Sequence, residues 1–415
     1  MKISVFGLGF VGLTTALGFA DKGFFVHGFD INDERRDVIL SGNVPFYEPG
    51  LKDALARNLD KTFVVADDAK NTAGGCNVCF LCVGTPGKDD GSADLSYVFS
   101  VIDSVAGAVS DDCIFVVKST VPPGSSAKVK DYLVSKGMKN AVAVNPEFLR
   151  EGYCWEDFIH PDRVVCGVDC GKAKDVLAQA YKPFDAPIHF VTPNTAEFIK
   201  YLSNSLLATL ISYANEMSLL ADKVGGIEIA RAFKILHEDK RLSGAPINSY
   251  IYPGCGYGGY CLPKDTQALA ALGNNAGLDM GILGNVISLN DEMPALTAKK
   301  IIGATKSRGD NIGILGLSFK AGSDDVRDSS AAKIINKLIK AGYENIWAFD
   351  PMANDEFKKV YGLDIKYATS AEELCEKCDT IALVTAWKDF AGINKKYQDK
   401  TFVDCRYFWG EDNAR

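Results

Sequence analysis

A chain of 415 residues with a net charge of −8 lacks the positive surface that nucleic acids or anionic membranes require. Its 47% hydrophobic and 24% charged residues are ordinary for a globular protein, and the length allows two or three domains, each with its own core. No apolar run approaches the roughly 18 residues of a bilayer span and nothing resembles a signal peptide, so a cytoplasmic protein is the simplest expectation.

Residues 2–7 read as a buried strand, and Gly7-Leu-Gly9-Phe-Val-Gly12 turns it into an apolar helix. A second strand at 24–29 ends in Asp30, 18 residues after the third glycine. Glycine triplets are common, but this one follows a strand and opens a helix, which is the context of a dinucleotide-binding βαβ unit. Gly9 would let a pyrophosphate approach, and the helix N-terminus would supply N–H groups and the positive end of its dipole. Asp30 would accept hydrogen bonds from ribose hydroxyls and repel a 2′-phosphate, which favours NAD over NADP, while Arg35 and Arg36 weigh the other way.

Further short apolar runs follow at 77–83, 113–118 and 141–144, each leading into polar, Gly- or Pro-containing residues. Runs at 164–168 and 188–191 extend the same sheet. The first two of these strand ends carry Thr85 and Thr120, whose hydroxyls either face a ligand or cap backbone. The third leads into Asn145-Pro-Glu147-Phe148-Leu149-Arg150-Glu151, two carboxylates and an arginine that mark either a site or a solvated helix start.

From Asn194 the pattern turns helical, with Asn194 and Glu197 spaced as a capping box. Apolar residues recur at Phe198, Ile199, Leu202, Leu206, Leu207, Leu210, Ala214, Met217, Leu220 and Ala221. Gly225-Gly226 ends this helix after about seven to eight turns. Such a length suits a connector between domains and a dimer face. Lys200 and Asn204 share one side of it, as a surface pair or as functional groups.

Residues 254–266, Gly-Cys-Gly-Tyr-Gly-Gly-Tyr-Cys-Leu-Pro-Lys-Asp-Thr, place Cys261 at the end of a glycine-rich turn, with Lys264 and Asp265 just beyond. The cysteine is either a buried thiol or a nucleophile, and the glycines and flanking charges favour the nucleophile. A nicotinamide site together with a nucleophilic cysteine points to oxidation through a thiohemiacetal and a thioester, past the aldehyde to the acid. A second α/β pattern opens at residues 311–320 and continues with a helix at 329–341 and strands at 346–349, 380–385 and 401–403. The expected fold is therefore α/β, two Rossmann-like doubly wound domains joined by a helical central domain with a long connecting helix. The expected boundaries are 1–193, 194–300 and 301–415.

Twelve cysteines are many, yet Cys76, Cys79 and Cys82 lie in or beside an apolar strand, where cysteine acts as a small hydrophobe. Cys375 and Cys378 form a C-x-x-C without a second pair or a neighbouring histidine, and the four histidines are scattered. No metal is assigned.

In order, the motifs GLGFVG, Asp30, CVGTP, KSTVPPG, NPEFLREG, the Lys200/Asn204 helix, GYGGYCLPKDT and LSFKAGSDDVRDS resemble the UDP-glucose/GDP-mannose dehydrogenase family over nearly the whole chain. The Gly-Gly-Tyr-Cys-Leu-Pro-Lys-Asp form is most similar to members acting on UDP-glucose, with those acting on GDP-mannose and UDP-N-acetylhexosamines as relatives. The resemblance implies an N-terminal NAD domain, a dimerising helical middle and a C-terminal domain for the nucleotide of the sugar. It makes Cys261 the nucleophile, Lys200 and Asn204 the stabilisers of the developing oxyanion, and Asp265, Thr120 and Glu147 the groups that move protons and place water. It puts Gly7, Gly9, Gly12, Asp30, Thr85, Thr120, Glu151 and Arg327 on the cofactor. It puts Phe148, Leu149, Arg150, Glu151, Lys200, Asn204, Arg241, Gly258 and Lys320 on the substrate. The segment from Arg241 to the glycine-rich turn is a few residues longer than the family's usual form.

Overall fold

The computed structural model describes residues 1–88, 91–239, 242 and 250–409. The chain divides into two compact units, Met1–Ser203 and Asn204–Arg415. Among the described residues no helix is long and apolar enough to cross a membrane.

In the first unit, strands β1 (Lys2–Phe6), β2 (Phe25–Phe29), β3 (Phe63–Val65), β4 (Val78–Leu81), β5 (Ile114–Val117), β6 (Ala141–Val144), β7 (Val164–Gly167) and β8 (Ile188–Val191) form one sheet. Their order is β3-β2-β1-β4-β5-β6-β7-β8, parallel except where β6 meets β7 at the single pair Val144 and Gly167. The first six follow the doubly wound dinucleotide-binding order. Both faces of the middle of the sheet are covered, so β4, β5 and β6 are apolar throughout rather than alternating. In β4, Val78 and Phe80 join the core on one face while Cys79 and Leu81 join the core on the other. Phe19, from helix Phe10–Asp21, centres the first of these cores, its ring 5.1 Å from Phe80, 5.2 Å from Tyr181 and 5.6 Å from Phe158. Strand β3 was not expected; three residues are too few to show a period.

The second unit holds β9 (Ile312–Leu315), β10 (Ile346–Phe349), β11 (Lys366–Tyr367), β12 (Thr380–Leu383) and β13 (Thr401–Asp404). These pair in parallel in the order β11-β10-β9-β12-β13, the same winding as the first five strands of the other sheet. Helices Ile229–His237, Cys261–Asn275 and Gly281–Ala304 belong to this unit.

The long helix spans Pro193–Val224, 32 residues and about nine turns, longer than expected. Its start also differs from the expected capping box. The Thr192 hydroxyl accepts from Thr195 N–H at 3.3 Å, while Glu197 turns away from its own helix. The Glu197 carboxylate, 1% exposed, accepts from Gly124 N–H and Ser126 N–H, both at 2.7 Å, at the start of helix Ser125–Ser135. That helix begins at a glycine with no side-chain cap of its own, so a full negative charge there satisfies more than a local box would. Glu197→Ala strands two donors, the one on Ser126 buried, and is expected to lower unfolding stability by about 1–3 kcal/mol in urea titration. An unchanged midpoint would mean that water replaces the carboxylate without loss.

Candidate active site

The turn after β1 separates the three glycines by what surrounds them. Gly7 has φ +88°, and a Cβ there would lie 2.8 Å from the Cys82 carbonyl oxygen; one at Gly12 would lie 1.7 Å from the Gly7 carbonyl oxygen. Both positions are closed by the protein's own backbone. A Cβ at Gly9 meets nothing within 4 Å, and Gly9 caps helix Phe10–Asp21 with no side-chain bond to its first N–H groups. This is the combination that a pyrophosphate requires: an open backbone approach to a helix N-terminus. Asp30, at the end of β2 and 4% exposed, accepts from Leu8 N–H at 2.7 Å, Asn32 N–H at 2.9 Å and Arg35 Nη1 at 2.9 Å. Arg36 donates to the Asp30 carbonyl and pairs with Asp33, so both arginines are engaged by acidic neighbours.

The ends of β4 and β5 are tied together. Thr85 Oγ1 donates to the Thr120 carbonyl at 2.7 Å, and Ser119 Oγ donates to the Val83 carbonyl at 2.6 Å. Thr85 is buried and spends its hydroxyl on this tie, whereas Thr120 is partly exposed.

Residues 145–150 after β6 adopt no helix, so Glu147 and Glu151 do not form the start of one. Glu147 is held instead by a buried ion pair, Lys200 Nζ to Oε1 at 2.9 Å, and its Oε2 accepts from Leu149 N–H at 2.6 Å. Burial pushes the Glu147 carboxyl up, but the charge and hydrogen bond of Lys200, the Leu149 N–H and Lys118 together bring it below its ordinary value. Lys118, fully buried, donates to Asn145 Oδ1 at 2.8 Å, and burial pulls its ammonium down. The Phe148 ring carries Arg163 at 4.4 Å and Lys200 at 5.6 Å. Leu149 packs against the first core. Arg150 is clamped to Asp157 through two side-chain bonds of 2.6 and 3.0 Å, and Glu151 is half-buried in the following turn.

In the second unit, Cys261 is the first residue of helix Cys261–Asn275 and is partly exposed. The helix N-terminus favours negative charge developing there. One turn on, Asp265 is wholly buried and accepts from Asn204 Nδ2 at 2.6 Å and Lys264 Nζ at 2.5 Å. Tyr260, which the sequence did not single out, lies between two cations, Arg327 at 4.7 Å and Lys264 at 5.6 Å from its ring. Its only signal was adjacency to the cysteine. Arg327 also pairs with Asp325 at 2.5 Å, and Lys320 lies over the Phe319 ring at 5.5 Å. A Cβ on Gly258 would lie 2.4 Å from the Asp328 carbonyl oxygen, and one on Gly259 would lie 2.9 Å from the Phe319 ring. These glycines are therefore required by the chain's own 319–328 segment, rather than by close approach of a ligand alone. Arg241 lies outside the described residues.

Strand β9 runs into Gly316-Leu-Ser318, a second version of the Gly7-Leu-Gly9 turn, with Gly316 at φ +93°. Asp350, at the end of β10, accepts from Leu317 N–H at 2.8 Å, Ser318 N–H at 3.0 Å, Ser318 Oγ at 2.9 Å and Trp387 Nε1 at 3.0 Å. Serine stands where the first turn has its open glycine, and its side chain folds back on the acid.

Three models of one family match the chain in order: its NAD binding domain over residues 1–185, its central domain over 194–292 and its UDP binding domain over 313–411. The chain belongs to the UDP-glucose/GDP-mannose dehydrogenase family. It is similar to a UDP-glucose 6-dehydrogenase of Rickettsia bellii, 39% identical over 95% of this chain and 91% of that one. Another of Rhizobium meliloti is 35% identical over 100% and 97%. Among solved structures, a UDP-glucose dehydrogenase from Pyrobaculum islandicum superposes with a TM-score of 0.91 at 36% identity, covering 99% of this chain and 98% of that one. The chain is an NAD-dependent oxidoreductase of nucleotide sugars, and the open glycine turn fits that cofactor.

Because Glu147 and Lys200 are both buried, removing either withdraws a counter-charge from the other. Lys200→Met or Glu147→Gln alone should cost about 3–5 kcal/mol, and the double variant should recover much of that. Additive losses in urea unfolding would show that the pair is not coupled.

Proposed function

We propose that this protein oxidises C6 of the glucosyl unit of UDP-glucose to the carboxylate, giving UDP-glucuronate through a covalent thioester on Cys261. The observation that carries the reading is Cys261 at a helix N-terminus, one turn from a fully buried Asp265 held by Asn204 and Lys264. Simple alcohol oxidation needs no such nucleophile. Relatives named for UDP-glucose, at 35–39% identity, support that substrate.

NAD, when bound, accepts a hydride from C6 in each of two oxidations. Gly9 and the helix behind it would hold its pyrophosphate and Asp30 its ribose, with Gly7 and Gly12 shaping the turn and Thr85, Thr120, Glu151 and Arg327 completing the contacts. Cys261 Sγ adds to the aldehyde carbon as a thiohemiacetal; the second oxidation leaves a thioester, and water releases the acid and regenerates the thiol. Lys200 and Asn204 offset negative charge on the C6 oxygen. Asp265 accepts protons, with Thr120 and Glu147 placing the water. Phe148, Leu149, Arg150, Glu151, Arg241, Gly258 and Lys320 serve the nucleotide sugar. Family members that oxidise other nucleotide sugars share this chemistry, so a substrate panel belongs in the test.

Cys261→Ser should lower UDP-glucuronate formation by at least about 10³-fold, and wild type should prefer UDP-glucose over GDP-mannose and UDP-N-acetylmannosamine in kcat/KM. A serine variant with wild-type turnover removes the thioester; a preference for either other sugar removes the substrate.

A homodimer is part of the proposal. Phe198, Leu202, Leu206, Tyr213, Leu220 and Val224 are exposed along the helix Pro193–Val224, a longer apolar series than a monomer usually shows. Leu206→Glu with Leu220→Glu should convert a dimer into a monomer by light scattering, and an unchanged mass would place the interface elsewhere. Twelve unbridged cysteines support a cytoplasmic, reducing location.

A further inference from the structure

Three cysteines outside the proposed reaction converge at the amino-terminal ends of β4 and β5. Gly75, at φ +67°, turns the chain into Cys76; Cys79 follows as the second residue of β4; Cys113 immediately precedes β5. The register that pairs Val78 with Ile114 brings the third thiol to the first two. Asn77 fastens the same corner, donating to the Lys2 carbonyl and accepting from the Lys2 N–H, both at 2.9 Å. Cys79 and Cys113 are fully buried and Cys76 is 3% exposed, within a core that includes Val98, Ile102 and Met138.

The sulfur separations are 3.2 Å for Cys76–Cys79, 3.3 Å for Cys76–Cys113 and 3.7 Å for Cys79–Cys113. Two of these are shorter than the about 3.5–4.0 Å at which even carbon atoms rest against one another, so the thiols are not merely packed as hydrophobes. A triangle with these sides has a circumradius of about 2.0 Å, so a point about 1.2 Å off its plane lies at the zinc–thiolate distance of about 2.3 Å from all three sulfurs.

We propose that Cys76, Cys79 and Cys113 form a trithiolate site for a thiophilic cation of the Zn(II) class, which clamps β4 to β5. At that point the sulfur–metal–sulfur angles are about 88°, 92° and 107°, so binding would draw two of the sulfur pairs apart by about 0.5 Å, toward the roughly 3.8 Å edge of a tetrahedral thiolate site. The site sits at the opposite end of the strands from Thr85 and Thr120, and its role is structural.

The test is to express the chain in medium containing Co(II), so that the ion is present during folding, and to purify it without air. One cobalt per chain is expected, with the intense visible bands of tetrahedral thiolate coordination, bleached on exchange with Zn(II). Cys76→Ser and Cys113→Ser should each lose those bands, and Cys378→Ser should keep them. Folded wild-type protein without cobalt, or with the weak spectrum of an octahedral oxygen site, overturns the proposal whether or not the variants fold. Bands that survive Cys76→Ser overturn it as well.

Discussion

Lys200 and Glu147 lie almost wholly out of water, and each offsets the cost of burying the other's charge. Their 2.9 Å contact ties the long helix Pro193–Val224 to the loop that follows β6. That loop is fixed from its other end too, because Asn145 takes a bond from Lys118, another from Tyr181, and donates to the Val165 carbonyl. A carboxylate and an ammonium therefore stand at set positions beside the dinucleotide-binding sheet. The second unit repeats the device around Asp265, whose partners are Lys264 and Asn204. One helix supplies a partner to each buried acid: Lys200 in the first unit and Asn204 in the second.

The two sheets also show how one winding serves two ligands. In both, a glycine with positive φ ends the first strand, and the acid at the end of the second accepts from the turn's N–H groups. The difference lies two residues after that glycine. Gly9 leaves its Cα face open, whereas Ser318 fills the corresponding position and bonds to Asp350. A pyrophosphate can approach the first turn closely; the second has given up that approach, in keeping with a match to a UDP binding domain rather than a dinucleotide one.

Much of this was legible in the sequence for identifiable reasons. Buried parallel strands appear as short apolar runs, and the G-x-G-x-x-G turn carries its own steric logic, so the Rossmann-type sheet and its cofactor could be read directly. Partnerships over long sequence distances could not. Glu197 has the spacing of a local capping box, yet bonds to residues more than seventy positions earlier, because only the fold brings an uncapped helix to it. The glycines at 258 and 259 read as a ligand approach, and only the structure shows Asp328 and Phe319 against them. Asp350, Trp387 and Tyr260 were missed because an aspartate after a strand, or an aromatic beside a cysteine, has no pattern of its own.

Cys261, as proposed, carries the substrate through two oxidations without release. The most direct measurement is NADH formed per UDP-glucose consumed at completion, with NAD in excess and the product analysed. Two NADH and one UDP-glucuronate are expected for each UDP-glucose. One NADH with an accumulating aldehyde would contradict it, because the thioester would then have no part in turnover.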